Sequence, residues 1–228
     1  MPEERMDPRI SVNKLGEYLV ATPVRRRRIV ADQKRPSDFI VARYREATEA
    51  MVSFLQGGAT DDAIIERAIV ELARKPVSSE FQEQDRDLSI EALESFLDMA
   101  DAIIFDGLQC RRGDPNPPHL MVAGVSVSVR PEIVLTGAAR AGGNALGLLK
   151  LYLVKSHPLT DEAGSYIGTV LQQYASQHLA GLGAVDYRLC QTLDIFAKKI
   201  HTAPRSFRRR QNDIEAACQE IARAWTFA

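Results

Sequence analysis

The N-terminal half of the chain carries its apolar residues at helical spacing. Thr22-Pro23 puts a capping hydroxyl before a proline at the first helical position, which predicts a helix to about Lys34, ended by Pro36. A second helix fits Ser37 to Leu55, where Ile40, Tyr44, Ala47, Met51 and Phe54 fall along one face. Gly57-Gly58 stops it. Thr60 is the expected cap of a third helix, with Ile64, Ile65, Ala68, Ile69 and Leu72 as its buried stripe. Ser89 is the expected cap of a fourth, through Met99. Residues 75–88 and 106–118 read as loops by composition.

From Leu120 the period changes to that of a strand. Val125, Val127 and Val129 alternate with Ser126, Ser128 and Arg130, and Ile133-Val134-Leu135 continues the extended run past Pro131. Thr136 to Gly147 reads as a flexible Gly/Ala-rich connection without the Gly-Lys-Ser/Thr ending of a nucleotide loop. Leu148 to Val154 is a second strand, Pro158 to Leu179 a helix, Val185 to Ile195 an alternating strand, and Phe207 to Trp225 a last helix. This order predicts an α/β fold, a mixed central sheet flanked by helices. It is read as one domain, with a helical part over 10–105 and a sheet-containing core over 119–225.

Composition narrows the class. With 45% hydrophobic and 26% charged residues the chain is an ordinary globular mixture. No apolar run approaches the roughly eighteen residues of a membrane span, and the first residues lack a secretory pattern. Cys110, Cys190 and Cys218 form no paired spacing, so reduced thiols and a cytoplasmic location are expected. The net charge of −1 is unevenly spread. Residues 1–45 hold eleven Lys/Arg against six Asp/Glu, residues 46–120 six against sixteen, and residues 121–228 twelve against eight. If the two basic ends meet, they could make a positive face for a phosphate backbone; the alternative is that the acidic helices are simply solvated.

The strand pair carries the candidate chemistry. Glu132 stands in Ser-Val-Arg-Pro-Glu-Ile-Val-Leu and Lys150 in Gly-Leu-Leu-Lys-Leu-Tyr-Leu. A charge in the middle of an apolar strand is costly unless paired or liganded, so the two are expected to lie together. One reading is a buried ion pair. The other is an active site, with a carboxylate for Mg²⁺ beside a lysine that positions water and stabilises developing charge.

These segments resemble the PD-(D/E)XK nuclease superfamily, in its RecB-like and Cas4-like branch. There an acid follows a proline on one strand, and Asp/Glu-x-Lys lies on the next. The resemblance implies Glu132 as first acid and metal ligand, Lys150 as the lysine, and Mg²⁺ or Mn²⁺ as cofactor in an active enzyme. At the position two before the lysine stands Leu148, which cannot bind a metal. Ser11 to Leu15 with Tyr18 resembles the entry segment of that branch, Thr22 standing where its cysteine would be. Gln172-Gln173-Tyr174 resembles its Gln…Tyr motif, which adds Gln172 and Tyr174 to the candidates. Glu46 and Glu49 are candidates for an upstream helix acid. Asp194 could replace the missing carboxylate, or could be an exposed strand residue pairing with Lys198 or Lys199.

Two arginine runs remain, Arg25, Arg26, Arg27 and Arg28 after Thr22-Pro23, and Arg208, Arg209 and Arg210 near the start of the last helix. Cations at a helix N-terminus oppose its dipole. A docked phosphate would remove that conflict; a solvated face or a partner protein are the alternatives. The expectation is a degenerate nuclease-like domain that binds nucleic acid, DNA before RNA, or scaffolds a catalytic partner, with no membrane. The rivals are an active nuclease with a non-standard second carboxylate and a protein-interaction subunit.

Overall fold

The computed structural model describes residues 4–36, 43–105, 107–139 and 142–227. Strand β1 (Arg9–Ser11) runs directly into helix α1 (Val12–Val20), because the Ser11 hydroxyl accepts from the Lys14 amide at 3.3 Å and caps the helix. Thr22 caps helix α2 (Pro23–Lys34) as expected, accepting from the Arg25 amide. Helices α3 (Arg45–Gln56), α4 (Ala63–Arg74) and α5 (Glu80–Ala100) follow.

Several boundaries differ from the pattern-based expectation. Tyr44 adopts a left-handed backbone (φ 63°), its amide donating to Asp85, so α3 starts at Arg45. The remainder of the expected start, Ser37 with Ile40, lies outside the described residues. Thr60 does not cap α4; its hydroxyl donates to the Gly57 carbonyl, and the helix begins after Asp62. Ser89 is buried in the middle of α5, whose cap is Ser79, accepting from Gln82. The first turns of α5 stand largely in solvent, so they carry no apolar stripe to announce them.

The strands form two sheets. β3 (Leu120–Val122) and β4 (Val125–Ser128) make a hairpin, and β1 pairs parallel with β4 to complete a three-stranded sheet. The extended run expected from Val125 to Leu135 is therefore split at Pro131, because β5 (Ile133–Ala138) belongs to a second sheet. That six-stranded sheet has the order β2-β5-β6-β8-β9, with β2 Leu108–Arg112, β6 Asn144–Tyr152, β8 Gln191–Asp194 and β9 Lys199–Thr202. β7 (Ala184–Val185) pairs beside β6.

The stretch expected as a loop over 106–118 thus holds edge strand β2. Most of the Gly/Ala-rich connection is hairpin: β5 reaches Ala138 and β6 starts at Asn144. Gly147 lies within β6 because a Cβ there would stand 2.1 Å from that of Leu189. Helix α6 (Asp161–His178), capped by Thr160, and α7 (Arg208–Trp225) complete the chain.

The fold is mixed α/β, as expected. The helices expected as one N-terminal half divide between the faces of the larger sheet. One core joins residues of α1, α2, α6 and α7 to Val134, Leu146, Leu148 and Tyr152. The other joins residues of α3, α4 and α5 to Ile133, Leu135, Leu149 and Leu151. The two basic ends do meet: Lys34 of α2 donates to the Trp225 carbonyl at the end of α7. Among the described residues no helix is long and apolar enough to cross a membrane.

Candidate functional site

Register brings the two candidate charges together. Ile133 pairs with Leu149 across the antiparallel β5–β6 ladder, so Glu132 stands opposite Lys150 on the face covered by α6. The Lys150 Nζ donates to Glu132 Oε1 at 2.5 Å. The second oxygen, Oε2, accepts from the Leu151 backbone amide at 2.6 Å. Both oxygens are thus engaged by the fold. The side chains of Lys150 and Glu132 keep 12% and 16% of their accessible surface, too little for a surface pair and too much for a sealed one.

The same register extends the polar row. Lys150 pairs with Thr192 on β8, and Thr192 with His201 on β9. Glu132, just ahead of β5, therefore stands in line with Lys150, Thr192 and His201 on β6, β8 and β9. Thr192 Oγ1 and His201 Nε2 are buried without a hydrogen-bond partner. Helix α6 closes over this end of the row; a Cβ on Gly164 would lie 2.5 Å from the His201 ring. His201 Nδ1 lies 3.4 Å from an Asp161 oxygen, yet burial and Lys199 hold the imidazole pKa below its ordinary value. Sequence pattern gave no sign of Thr192 or His201, because β9 is four residues long and each polar side chain is ordinary alone.

The other candidate acids do not join the pair. Glu46 pairs with Lys75, and Glu49 accepts a forked contact from Arg112, which holds its carboxyl below the usual range. Both sit on α3, whose core lies on the opposite face of the sheet from Lys150.

Asp194 is not exposed and does not pair with Lys198 or Lys199. It is wholly buried, accepts from the Leu159 amide at 2.7 Å and the Ala197 amide at 3.3 Å, and has its pKa raised by burial. Lys198 meets Asp98 and Lys199 meets Asp161 instead. The Asp194 carboxylate ties down two loops.

Gln172 and Tyr174 also serve packing. Gln172 donates to the Pro204 carbonyl at 3.1 Å, and the buried Tyr174 ring lies against His178. Cys190 and Cys218 are buried free thiols, pushed up to about 12 by burial, and Cys110 is free as well.

A divalent ion needs several oxygen ligands in a compact shell. Among the described residues no three His, Cys, Asp or Glu side chains are placed to hold one. Leu148, on the same face of β6 as Lys150, is fully buried in the core. The residues present do not fit Mg²⁺ or Mn²⁺.

The two arginine runs differ. Arg25 lies 2.5 Å from Glu17; Arg26 contacts Glu220 and donates to the carbonyls of Tyr18 and Leu19; Arg28 reaches Asp32 at 3.9 Å. The chain's own acids and carbonyls thus account for most of the first run. Arg208, Arg209 and Arg210 form no ion pair among the described residues, and Arg210 lies over the Tyr166 ring. Helix α7 starts there with neither a side-chain cap nor an acid in its first turn. A groove of about 610 Å³ adjoins this start, lined by Gln172, Gln173, Gln177, Phe207 and Gln211. Arg26 meets α7 ten residues beyond Arg210, about 15 Å along a helix, so the runs form separate patches. No family model matches the chain, and no curated protein matches it.

Proposed function

We propose that the chain is a PD-(D/E)XK-like domain that does not hydrolyse phosphodiesters and binds nucleic acid, DNA before RNA, beside a catalytic or scaffolding partner. The observation that carries this reading is the start of α7. Three successive arginines surround an uncapped helix N-terminus, with no acid of the chain paired to them among the described residues. Backbone N–H groups, the helix dipole and guanidinium forks there favour the same ligand, a phosphate. The adjoining glutamine-lined groove supplies neutral donors and acceptors, which suit sugars and base edges.

Catalysis is set aside because Leu148 occupies the position of the second acid and Glu132 is held by Lys150 and Leu151. A protein-interaction role is the second reading, favoured by that same full use of Glu132 within the fold.

The test is duplex binding measured across salt concentrations. Wild type should show a log–log slope of about −0.9 per phosphate contact, and replacing Arg208, Arg209 and Arg210 by glutamine should flatten it. Replacing Arg25 and Arg26 should instead lower stability with little change in slope. Absence of binding even at low salt would favour the protein-interaction role.

A further inference from the structure

A cavity of about 820 Å³ lies away from the Glu132–Lys150 pair and from the start of α7. Its floor is the outer face of the three-stranded sheet. Register sets Arg9, Ser126 and Met121 in one row across β1, β4 and β3, while Ile10, Val127 and Leu120 face the core. Its wall is the segment from Glu4 to Pro8, which is firmly tied. Arg5 donates its amide to Lys34 and a guanidinium N–H to Gln33, Trp225 donates to the Arg5 carbonyl, and Ser126 donates its amide to Pro8. The site is therefore built before any ligand arrives.

Its charges are poorly balanced within the protein. Arg5 and Arg9 line the cavity, and Arg130 lies close enough to act electrostatically on Arg9. Burial, then Arg5 and Arg130, pull the Arg9 pKa down. Burial, then Arg9 and Arg130, do the same to His119, whose Nδ1 lies 2.6 Å from the Ser126 hydroxyl. Of the two acids lining the cavity, Glu4 is engaged by Lys34 at 3.0 Å and Arg35 at 3.6 Å. Asp7 forms no ion pair among the described residues. Clustered cations of this kind are relieved by an anion, and guanidinium forks match phosphate.

We propose that this cavity binds a nucleotide, its phosphate held by Arg5, Arg9 and the Ser126–His119 pair under the field of Arg130. A bare phosphate would leave most of the volume empty, whereas 300–1,000 Å³ is the usual range for small-molecule sites. Asp7 offers an acceptor for sugar hydroxyls or a base amino group, and Pro8, Pro36 and Met121 offer apolar surface for the ring. The site does not depend on the proposed role of Arg208–Arg210.

Inorganic phosphate, adenosine, adenosine 5′-monophosphate and 5′-phosphorylated or 5′-hydroxyl oligonucleotides serve as probes. Binding is followed by calorimetry and by the His119 ring signals in NMR. The monophosphate should bind saturably and raise the His119 pKa. Adenosine should bind at least about tenfold more weakly, and Arg9→Gln or the exposed Arg130→Gln should cost about tenfold each. Replacing Arg208, Arg209 and Arg210 should leave this binding unchanged even where it abolishes duplex binding. Preference for the 5′-phosphorylated oligonucleotide over the monophosphate supports the site and assigns it a strand end; the reverse supports it and assigns a free nucleotide. No shift of His119 up to roughly 10 mM monophosphate overturns the proposal, as does unchanged affinity in both arginine variants.

Discussion

Lys150 stands opposite Glu132 across the β5–β6 ladder, and its ammonium lies 2.5 Å from one carboxylate oxygen while the other oxygen holds the Leu151 amide. The carboxylate therefore performs two structural tasks, neutralising a mostly buried lysine and closing the ladder where β5 begins after Pro131. Removing the lysine leaves a carboxylate with little water to replace it. Lys150→Met should lower unfolding free energy by about 2–3 kcal/mol, below the 3–5 of a fully buried pair because some solvent reaches this one. Lys155→Met, at an exposed pair with Glu91, should stay within about 0.5 kcal/mol. Urea unfolding of both variants gives the comparison. Equal effects would mean the Glu132–Lys150 pair contributes no more than a surface contact.

This pairing was legible in the sequence because both charges interrupt apolar strands, where an unpaired charge is costly. The division of the chain was not. Val125 to Leu135 reads as one extended run, and side-chain pattern alone does not reveal that Pro131 carries the chain from one sheet into another. Asp194 misled for a related reason. Alternation places it on the face opposite Leu193 and Ile195, but that face is buried too, under α6. The arginine runs looked alike in sequence and differ in the fold, because Glu17 lies near one end of the chain and Glu220 near the other. Only tertiary structure brings those acids to Arg25 and Arg26.

Thr192 offers a test of whether the polar row holds anything. Its hydroxyl is buried and unpartnered, so the fold bears a desolvation cost with no hydrogen bond in return. Thr192→Val keeps the shape and removes the hydroxyl. Thermal melts should show equal or higher stability, by up to about 1 kcal/mol. A loss above about 1 kcal/mol would mean that a water or ligand bridges Thr192 to His201, and would make this end of the row a functional site.

Asp194 should shape the pH dependence. Burial raises its folded pKa above the usual 3.8, so the folded state favours the protonated form. The sign follows: the stability it contributes is present below pH 3.8 and is lost as pH rises through the raised folded pKa. Asp194→Asn removes this titration and retains an acceptor for the Leu159 amide. The stability of wild type minus that of Asp194→Asn should therefore fall as pH rises from about 3.8, then level off. Chemical unfolding of both proteins between pH 3.5 and 8 measures the difference, for which a rise with pH would contradict the buried-carboxyl account.

The sharpest test concerns the position two before the lysine. Leu148 and Lys150 share a face of β6, and Leu148 pairs in register with Val134 on β5, so Leu148 stands diagonal to Glu132. Diagonal neighbours on a sheet have Cα atoms about 7–8 Å apart, which two glutamate side chains can span with an ion between them. Leu148 is fully buried, however, and Leu148→Glu places a carboxylate in the core that includes Val134 and Leu146. Without metal the variant should lose about 3–5 kcal/mol, from the buried charge and the lost packing. With Mn²⁺ it should recover part of that loss, because an ion bound only by the folded state stabilises it by mass action. Wild type should not respond, since Glu132 alone supplies too few oxygens to replace the ion's hydration. Thermal melts of both proteins with and without Mn²⁺ separate the cases. A wild-type shift as large as the variant's would reveal a second ligand near Glu132 and move the rival reading, an active nuclease, into first place.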